Sequence, residues 1–545
     1  MSGTLTSHAD VSGEDGAPLP EPPDHPAGER PSVRERLLPP MPRDGWWGWG
    51  GPLAVTAVGA ALRFWNLGQP HVFSFDETYY AKDGLSLIRF GYEQVTLASA
   101  NDKILAGNSN VFTGMAEYVV HPPVGKWAIG LGQWIFGATP FGWRFVPAVI
   151  GTLMILMLAR IVRRMTRSTL VGCIAGLLLA LDSLSIVLSR TALLDGTLAF
   201  FVLAGFGALV IDRDRSRARL ADWAEQRELA VETGPGDRRD DHESGPWLGA
   251  RPWRIAAGVL LGLACATKWS GLWFLLMFAV MSLCWDWGAR RAAGVRWPFW
   301  ATVTRDAVQG LVSLLPVAAV VYVLAWVPWL ITFSDQKRDW DLSRGGPGFL
   351  PDNVRALIGY HEQMYDFHTH LTSGHPYAAK AVGWLLQLRP TAFWSVNLKT
   401  GEGGCTATSC VREVTSIGTP AIWWAATAAI IWLVWRWIGA RDWRAGAALA
   451  GIAAGWAPWL GSDRTIFTFY EVCFAPFMII GLTLVLSALM GDRTASSNRR
   501  FVGTAAVGIY LLLVVADTAW LWPVLVGDLM SNADWFSRMW FRSWI

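Results

Sequence analysis

Two adjacent carboxylates, Asp76 and Glu77, stand in the stretch VFSFDETYYAKDG (residues 72–84), with Phe73, Phe75, Tyr79 and Tyr80 around them. Aromatic neighbours take water from a carboxylate. Desolvation disfavours the charged form, raises the pKa and makes the group a better general base. The pair follows, by about ten residues, an apolar stretch of membrane-spanning length. A solvated loop acid beside an interfacial anchor is the plain alternative. Four cations stand at the ends of other apolar stretches: Arg63, Arg144 in FGWRFVP, Lys268 in ATKWSG and Arg464 in GSDRTIFTFY. Each could be an interfacial residue that snorkels. As a set they fit a lipid-borne phosphate, which Arg and Lys bind through charge-assisted hydrogen bonds.

A second tier of residues could support such a site. SRTALLDGTLAF places Arg190 and Asp195 at the junction of two apolar stretches, with Asp182 shortly before them. Charges at such places pair with one another or mark a pathway, and an Arg190–Asp195 ion pair is the structural alternative. HPPVGKW brings His121 and Lys126 toward the membrane surface, and SGHPYAAK does the same for His375 and Tyr377. Phosphate-cradling glycine loops, HExxH, nucleophile elbows and Cys/His ligand clusters are all missing from the sequence. No cofactor and no metal ligand set is expected. A carboxylate base with cations nearby suits glycosyl transfer from a polyprenyl-phosphate sugar to a hydroxyl. The base takes the acceptor proton, and the cations stabilise the departing phosphate.

The elements that must position these residues are membrane spans. Of 545 residues 52% are hydrophobic and only 16% charged, and 34 are tryptophan. Mean hydropathy is +0.30. That is the composition of an all-α polytopic membrane protein with aromatic belts at both interfaces. The net charge of +3 is too small to argue for nucleic acid. Eleven spans are expected, near 47–65, 142–161, 169–188, 194–211, 255–267, 271–287, 307–331, 419–437, 445–460, 466–490 and 501–526. The Arg-rich connections ARIVRRMTR, DRDRSRARL, ARRAAGVR, RWIGARDWR and DRTASSNRR all fall on one side, which the positive-inside rule makes cytoplasmic. The loops at 68–141 and 333–418 and the tail at 527–545 then lie outside, and all four cations sit near the outer face. Residues 1–45, rich in Pro, Gly and acids, read as a disordered cytoplasmic tail. No cleavable signal peptide is evident, so the first span is expected to act as an uncleaved anchor. Residues 46–526 would form the catalytic membrane domain. Cys405 and Cys410 fall in the second outer loop, where a disulfide is chemically permitted and zinc is the weaker alternative.

RFWNLGQPHVFSFDETYYAKDG, HPPVGKW, GWRFVPAVIGTLM, LDSLSIVLSRTALLDGTLAFF, ATKWSGLW, TSIGTPAIWW and RTIFTFY together resemble the protein O-mannosyltransferase family in its bacterial form. The likeness runs over nearly the whole chain after about residue 50. It implies a GT-C glycosyltransferase architecture of about eleven transmembrane helices with two long extracytoplasmic loops. It also implies a polyprenyl-phosphate-mannose donor, inversion at the anomeric carbon, and Ser or Thr acceptors on exported proteins. Asp76 would be catalytic, Glu77 would assist it or orient the peptide, Arg144 would hold the donor phosphate, and Asp195 would support the site. Eukaryotic relatives carry a trefoil sugar-binding domain in the second long loop, which is too short here to hold one. The lipid donor and exported acceptor proteins are the implied partners; membrane lipids are expected around the spans, and the secretion translocon is a candidate partner. Transfer of another lipid-linked sugar to a glycan or lipid is the rival within the same superfamily. A transporter is the rival outside it, and the lack of an internal repeat weighs against that.

Overall fold

The computed structural model describes residues 32–233, 244–492 and 494–545. It opens with the short helix α1 (Val33–Leu37) and then α2 (Trp47–Phe64). The first long connection holds α3 (Glu77–Phe90), α4 (Ala100–Leu105) and α5 (Val124–Phe136). Next come α6 (Pro140–Thr166), α7 (Thr169–Leu181), α8 (Ser183–Ser189), α9 (Leu194–Thr233), α10 (Pro252–Cys265) and α11 (Gly271–Ala292). α12 (Pro298–Ala301) runs through a π-helical turn into α13 (Val308–Ala325), followed by α14 (Val327–Ile331). The second long connection carries α15 (Asp352–His370). The chain ends with α16 (Pro420–Ala440), α17 (Trp443–Trp456), α18 (Ala475–Met490), α19 (Ser497–Val526) and α20 (Asn532–Arg538).

Local chemistry marks several of these ends. Thr139 caps α6 through its hydroxyl with Pro140 at the first helical position, and Ser168 caps α7 in the same way. Asp182 breaks the next segment: its carboxylate accepts from the Ser185 amide, and the chain turns by 64° between α7 and α8. Gly91, at φ +82°, ends α3 in the left-handed conformation. The main apolar core is built chiefly from α6, α7, α9 and α18, where Ile155, Leu178, Val202, Phe206 and Phe477 are buried.

Among the described residues, six helices are long and apolar enough to cross a membrane, and the bent pair α7–α8 makes up to seven. The other four expected segments are also helical, as α2, α10, α17 and α18. At 14, 14 and 16 residues, α10, α17 and α18 fall short of the roughly 20 that a full span needs, and α2, at 18 residues, falls short in hydropathy. The expected eleven therefore match eleven helical segments, of which up to seven meet the length and hydropathy of a span on their own.

Three expectations need correction. The body is mostly helical but not all-α. In the first connection β1 (Gln94–Thr96) pairs antiparallel with β2 (Phe112–Ala116). In the second, β3 (Thr391–Lys399) pairs with β4 (Ser409–Ser416), which also takes up β5 (Met530–Ser531) from the C-terminal tail. The tail expected through residue 45 lies partly outside the described residues. Its described part, however, contains α1, which Ser32 and Glu35 close with reciprocal cap hydrogen bonds and which buries Leu37 against Leu220 and Ala221. The stretch DRDRSRARL is not a loop, because α9 continues through it as one 40-residue helix. Its charges are taken up by neighbours: Asp214 pairs with Arg164 and Arg167, and Asp212 with Arg251 and Arg254. Arg213 lies 3.5 Å over the Trp443 ring. These contacts bring together the Arg-rich C-terminal end of α6, the Arg-rich stretch of α9 and the N-terminal end of α17.

Candidate active site

Phe75 sets the position of the acid pair. Its backbone is left-handed, at φ 50°, which a bulky side chain rarely adopts. The ring is held by Phe393 of β3, stacked at 5.1 Å, and edge-on by Phe467, Phe469 and His375 at 5.6, 5.6 and 5.9 Å. The turn makes Asp76 the N-cap of α3 and Glu77 its first residue.

The two acids then part. Glu77 is fully buried and saturated. Arg144 donates to it from Nε at 2.8 Å and from Nη2 at 2.7 Å, Ser74 N donates at 2.8 Å, and Ala192 N at 3.0 Å. Arg144 also donates to the carbonyls of Leu67, Pro70 and Val72 and to Ser74 Oγ. All three of its nitrogens are committed to protein acceptors, so it has no free face for a donor phosphate. Together Arg144 and Glu77 form a buried brace that closes the loop before α3.

Asp76 is only partly buried, and its carboxylate has no hydrogen-bond partner among the described residues. Burial pushes its pKa up to about 6; the charge of Lys268 pulls it down, and that of Asp195 raises it. Lys268 Nζ donates to Asp195 Oδ1 at 2.8 Å and lies 4.0 Å over the Tyr470 ring. This replaces the Arg190–Asp195 pair considered from sequence. A small cavity beside Lys268 is lined by Asp195, Ser270, Phe274, Trp459, Tyr470 and Cys473, among others. Tyr470 thus joins the cavity to the Lys268–Asp195 pair: it lines the first and lies under the lysine of the second.

His121 and Arg464 stand on the other flank of this cluster. The His121 ring is 5.0 Å from that of His368 on α15 and 6.2 Å from Tyr80. Burial, with Lys268, His368, Lys126 and Arg464 all positive or ionisable nearby, drives the His121 pKa well below its usual value. Its Nδ1 is buried without a hydrogen-bond partner, as is Arg464 Nε. Arg464 Nη1 donates to His368 Nδ1 at 3.1 Å, and no carboxylate among the described residues pairs with it.

The other sequence candidates serve elsewhere. Arg63 is buried and donates to the carbonyls of Gly59, Leu179 and Ala180 and to the hydroxyls of Ser185 and Ser189, which ties α2 to α7 and α8. Arg190 donates to the carbonyls of Leu62, Arg63 and Trp65. Asp182 caps α8 and accepts from Trp423 Nε1 at 2.9 Å. Lys126 is paired with Glu93 at 2.6 Å, with Asp83 at 3.9 Å. His375 packs on Phe75 and accepts from the Tyr377 amide, so both lie beside the acid pair without reaching it by a hydrogen bond. Cys405, in the turn between β3 and β4, is joined by a disulfide to Cys410 near the start of β4. His368 and Tyr470 were missed. The available signal for His368 was the richness of α15 in histidine, with His361, His368 and His370 among the chain's nine.

A multi-pass helical body with an unpaired acid, a lysine and an arginine grouped at one end has the layout of a membrane glycosyltransferase. The whole-chain fold agrees. A chain of the S. cerevisiae protein O-mannosyltransferase complex bound to the sugar donor aligns with a TM-score of 0.68 over 94% of both chains, at 15% identity. Residues 53–224 match the family described as dolichyl-phosphate-mannose-protein mannosyltransferase, and residues 354–544 the C-terminal four-transmembrane region of protein-O-mannosyltransferase. A polyprenol-phosphate-mannose--protein mannosyltransferase of Mycobacterium tuberculosis is 39% identical over 91% of this chain and 92% of its own length. One from Mycolicibacterium smegmatis is 38% identical over 93% and 96%. The chain belongs to the protein O-mannosyltransferase family.

Proposed function

We propose that this protein transfers mannose from polyprenol-phosphate-mannose to a Ser or Thr hydroxyl of an exported protein, with Asp76 as the general base. Family membership makes the chain a polyprenol-phosphate-mannose-dependent protein mannosyltransferase. The choice of base rests on one observation. Of the two adjacent acids, Glu77 has its oxygens filled by Arg144 and two amides, whereas Asp76 is unpaired and has its pKa raised to about 6. A base poised near neutrality is deprotonated under working conditions yet keeps its appetite for a proton.

The step balances simply. The acceptor oxygen attacks the anomeric carbon from the face opposite the phosphate, and its proton passes to Asp76. The bond between that carbon and the phosphate oxygen breaks, so the lipid phosphate leaves with one more negative charge than it carried as a diester. Lys268 and Arg464 would meet that charge, which is where electrostatic stabilisation acts on the transition state. The buried Arg464 Nε and His121 Nδ1, both without protein partners, support a polar ligand at this flank, because an unmet buried polar group is costly. Asp195 would keep Lys268 in place. In this reading Arg63, Arg144, Arg190 and Asp182 hold the frame. The site would face outward from the plasma membrane, beneath the two long connections, with eleven spans, a cytoplasmic N-terminus and acceptors delivered from the translocon. Purified protein incubated with polyprenyl-phosphate-mannose and a Ser/Thr peptide should add one hexose to the peptide by mass spectrometry. An unmodified peptide with intact donor, or transfer only from a donor carrying another sugar, would overturn the reading.

A further inference from the structure

We propose that His368 positions Arg464, fixing its guanidinium for the donor's phosphate through a neutral acceptor that leaves the positive charge uncancelled; the proposal rests on the donor-site reading above. The hydrogen bonds assign the tautomer. His368 Nε2 lies 2.7 Å from the carbonyl oxygen of Val120. A carbonyl can only accept, so Nε2 carries the hydrogen. In a neutral imidazole Nδ1 is then the acceptor, and it receives the hydrogen bond from Arg464 Nη1 at 3.1 Å. Burial is the main influence keeping the ring neutral. The Val120 bond opposes it, Arg464 and Lys268 reinforce it, and the result is a pKa of about 4. The other titratable group facing the ring is His121, itself held neutral.

The contrast with the other cations gives this bond its meaning. Arg144 is held by Glu77 and Lys268 by Asp195, so each is oriented by a carboxylate that also offsets its charge. Arg464 is oriented by a neutral nitrogen and by the ring of Trp459, 5.9 Å from its guanidinium carbon. A pre-aimed, uncompensated guanidinium is what an arriving phosphate binds most tightly. His368 also joins three segments far apart in sequence: the carbonyl before His121-Pro122-Pro123, helix α15, and the stretch between α17 and α18. The bond from α15 to the first long connection therefore fixes the ring that Arg464 meets.

The test is a cycle of His368→Ala, Arg464→Ala and the double variant. It reads donor KM, kcat, binding of polyprenyl phosphate without sugar, and thermal midpoint. Each single change should raise donor KM and weaken polyprenyl phosphate binding by about tenfold, the effect of losing a charge-assisted bond. The double variant should be no worse than Arg464→Ala, since His368 acts through it. His368→Asn, which offers an oxygen near the position of Nδ1, should recover most of the donor affinity. His368→Asp should fail to do so despite orienting Arg464, because it cancels the charge. Losses that multiply in the double variant, or a lower midpoint with unchanged donor KM, would make His368 a structural clasp and overturn the proposal. An unchanged donor KM in Arg464→Ala would instead remove Arg464 from the donor site, a failure of the underlying reading. Should His368→Ala not fold, the Asn and Asp variants compared with each other decide the same point.

Discussion

Asp76 and Glu77 share a peptide bond and little else, and substitution should separate them. Asp76→Asn keeps the shape and removes the proton acceptor. Turnover should fall by about 10²–10⁴-fold, with polyprenyl phosphate binding and thermal midpoint little changed. A neutral amide relieves the desolvation that now raises the carboxyl, so stability has no reason to drop. In the parent enzyme the base works only when deprotonated. Activity should therefore climb with pH through about 6 and level off above it, and a flat profile down to pH 5 would take the role from Asp76. Glu77→Gln leaves Arg144 buried without its counter-charge, and breaking a buried pair from one side costs roughly 3–5 kcal/mol. The expected defect is a large fall in thermal midpoint and yield, with near-normal donor KM in whatever protein folds. A stable Glu77→Gln protein with crippled turnover would return the base to residue 77. These contrasts were not legible in the chain. Arg63, Arg144, Arg190 and Arg464 look alike as residues at span ends, and only the acceptors folded around each distinguish a brace from a free cation.

Helix α3, which carries Asp76 at its N-terminus, is located by a close crossing with α5. A Cβ at Gly84 would lie 2.8 Å from Gly130 N and 2.8 Å from Lys126 O, and one at Gly130 only 2.4 Å from Gly84 O. These obstacles are backbone, so an added methyl must push the helices apart, at a cost of about 1–3 kcal/mol. Gly130→Ala should lower both the thermal midpoint and turnover, because α3 moves with Asp76. Gly508→Ala in α19, where nothing lies within 4 Å of the new methyl, should leave activity alone and keep or slightly raise stability. Equal effects from both would show that the crossing does not set the site. Elements of this kind were partly legible. Each of the eleven expected spans falls on a helix, though up to seven of them meet the length and hydropathy of a span, and Cys405 and Cys410 lay where a bridge could close. The pairing of β4 with β5 was not legible, nor was the run of α9 through an Arg-rich stretch, because both depend on partners remote in sequence. Asp195 and Lys268 are 73 residues apart, and Arg464 and His368 are 96.

At the scale of the whole molecule, the C-terminus reports on the count of spans. The positive-inside expectation would put the Arg-rich connections in the cytoplasm, and contacts such as Arg167 with Asp214 and Arg213 with Trp443 draw several of them together. With the N-terminus on that side, an odd number of crossings leaves residues 527–545 outside, and an even number leaves them inside. The folded tail adds a constraint independent of charge. Met530 and Ser531 pair with Val411 and Cys410 of β4, Trp544 Nε1 donates to the Gln387 carbonyl at 2.8 Å, and Arg389 donates to the carbonyls of Ser543 and Ile545 at 2.6 Å. The tail must therefore share a side with the second long connection, which also supplies Phe393 and His368 to the site. Eleven crossings satisfy both requirements, even though α10, α17 and α18 are short for a span. An alkaline phosphatase fused after Ile545 through a flexible linker should be active in cells, and a cytoplasm-dependent reporter at the same place should be silent. A cysteine introduced at Gly401, in the turn between β3 and β4, should in parallel react with an impermeant maleimide from outside. If the two positions report opposite sides, the β4–β5 pairing is wrong. If both report the cytoplasm, the number of crossings between α2 and α15 is even and the site has been placed on the wrong face. Helix α10, with 14 residues and separated from α11 only by the turn that carries Lys268, is the weakest candidate crossing in that stretch.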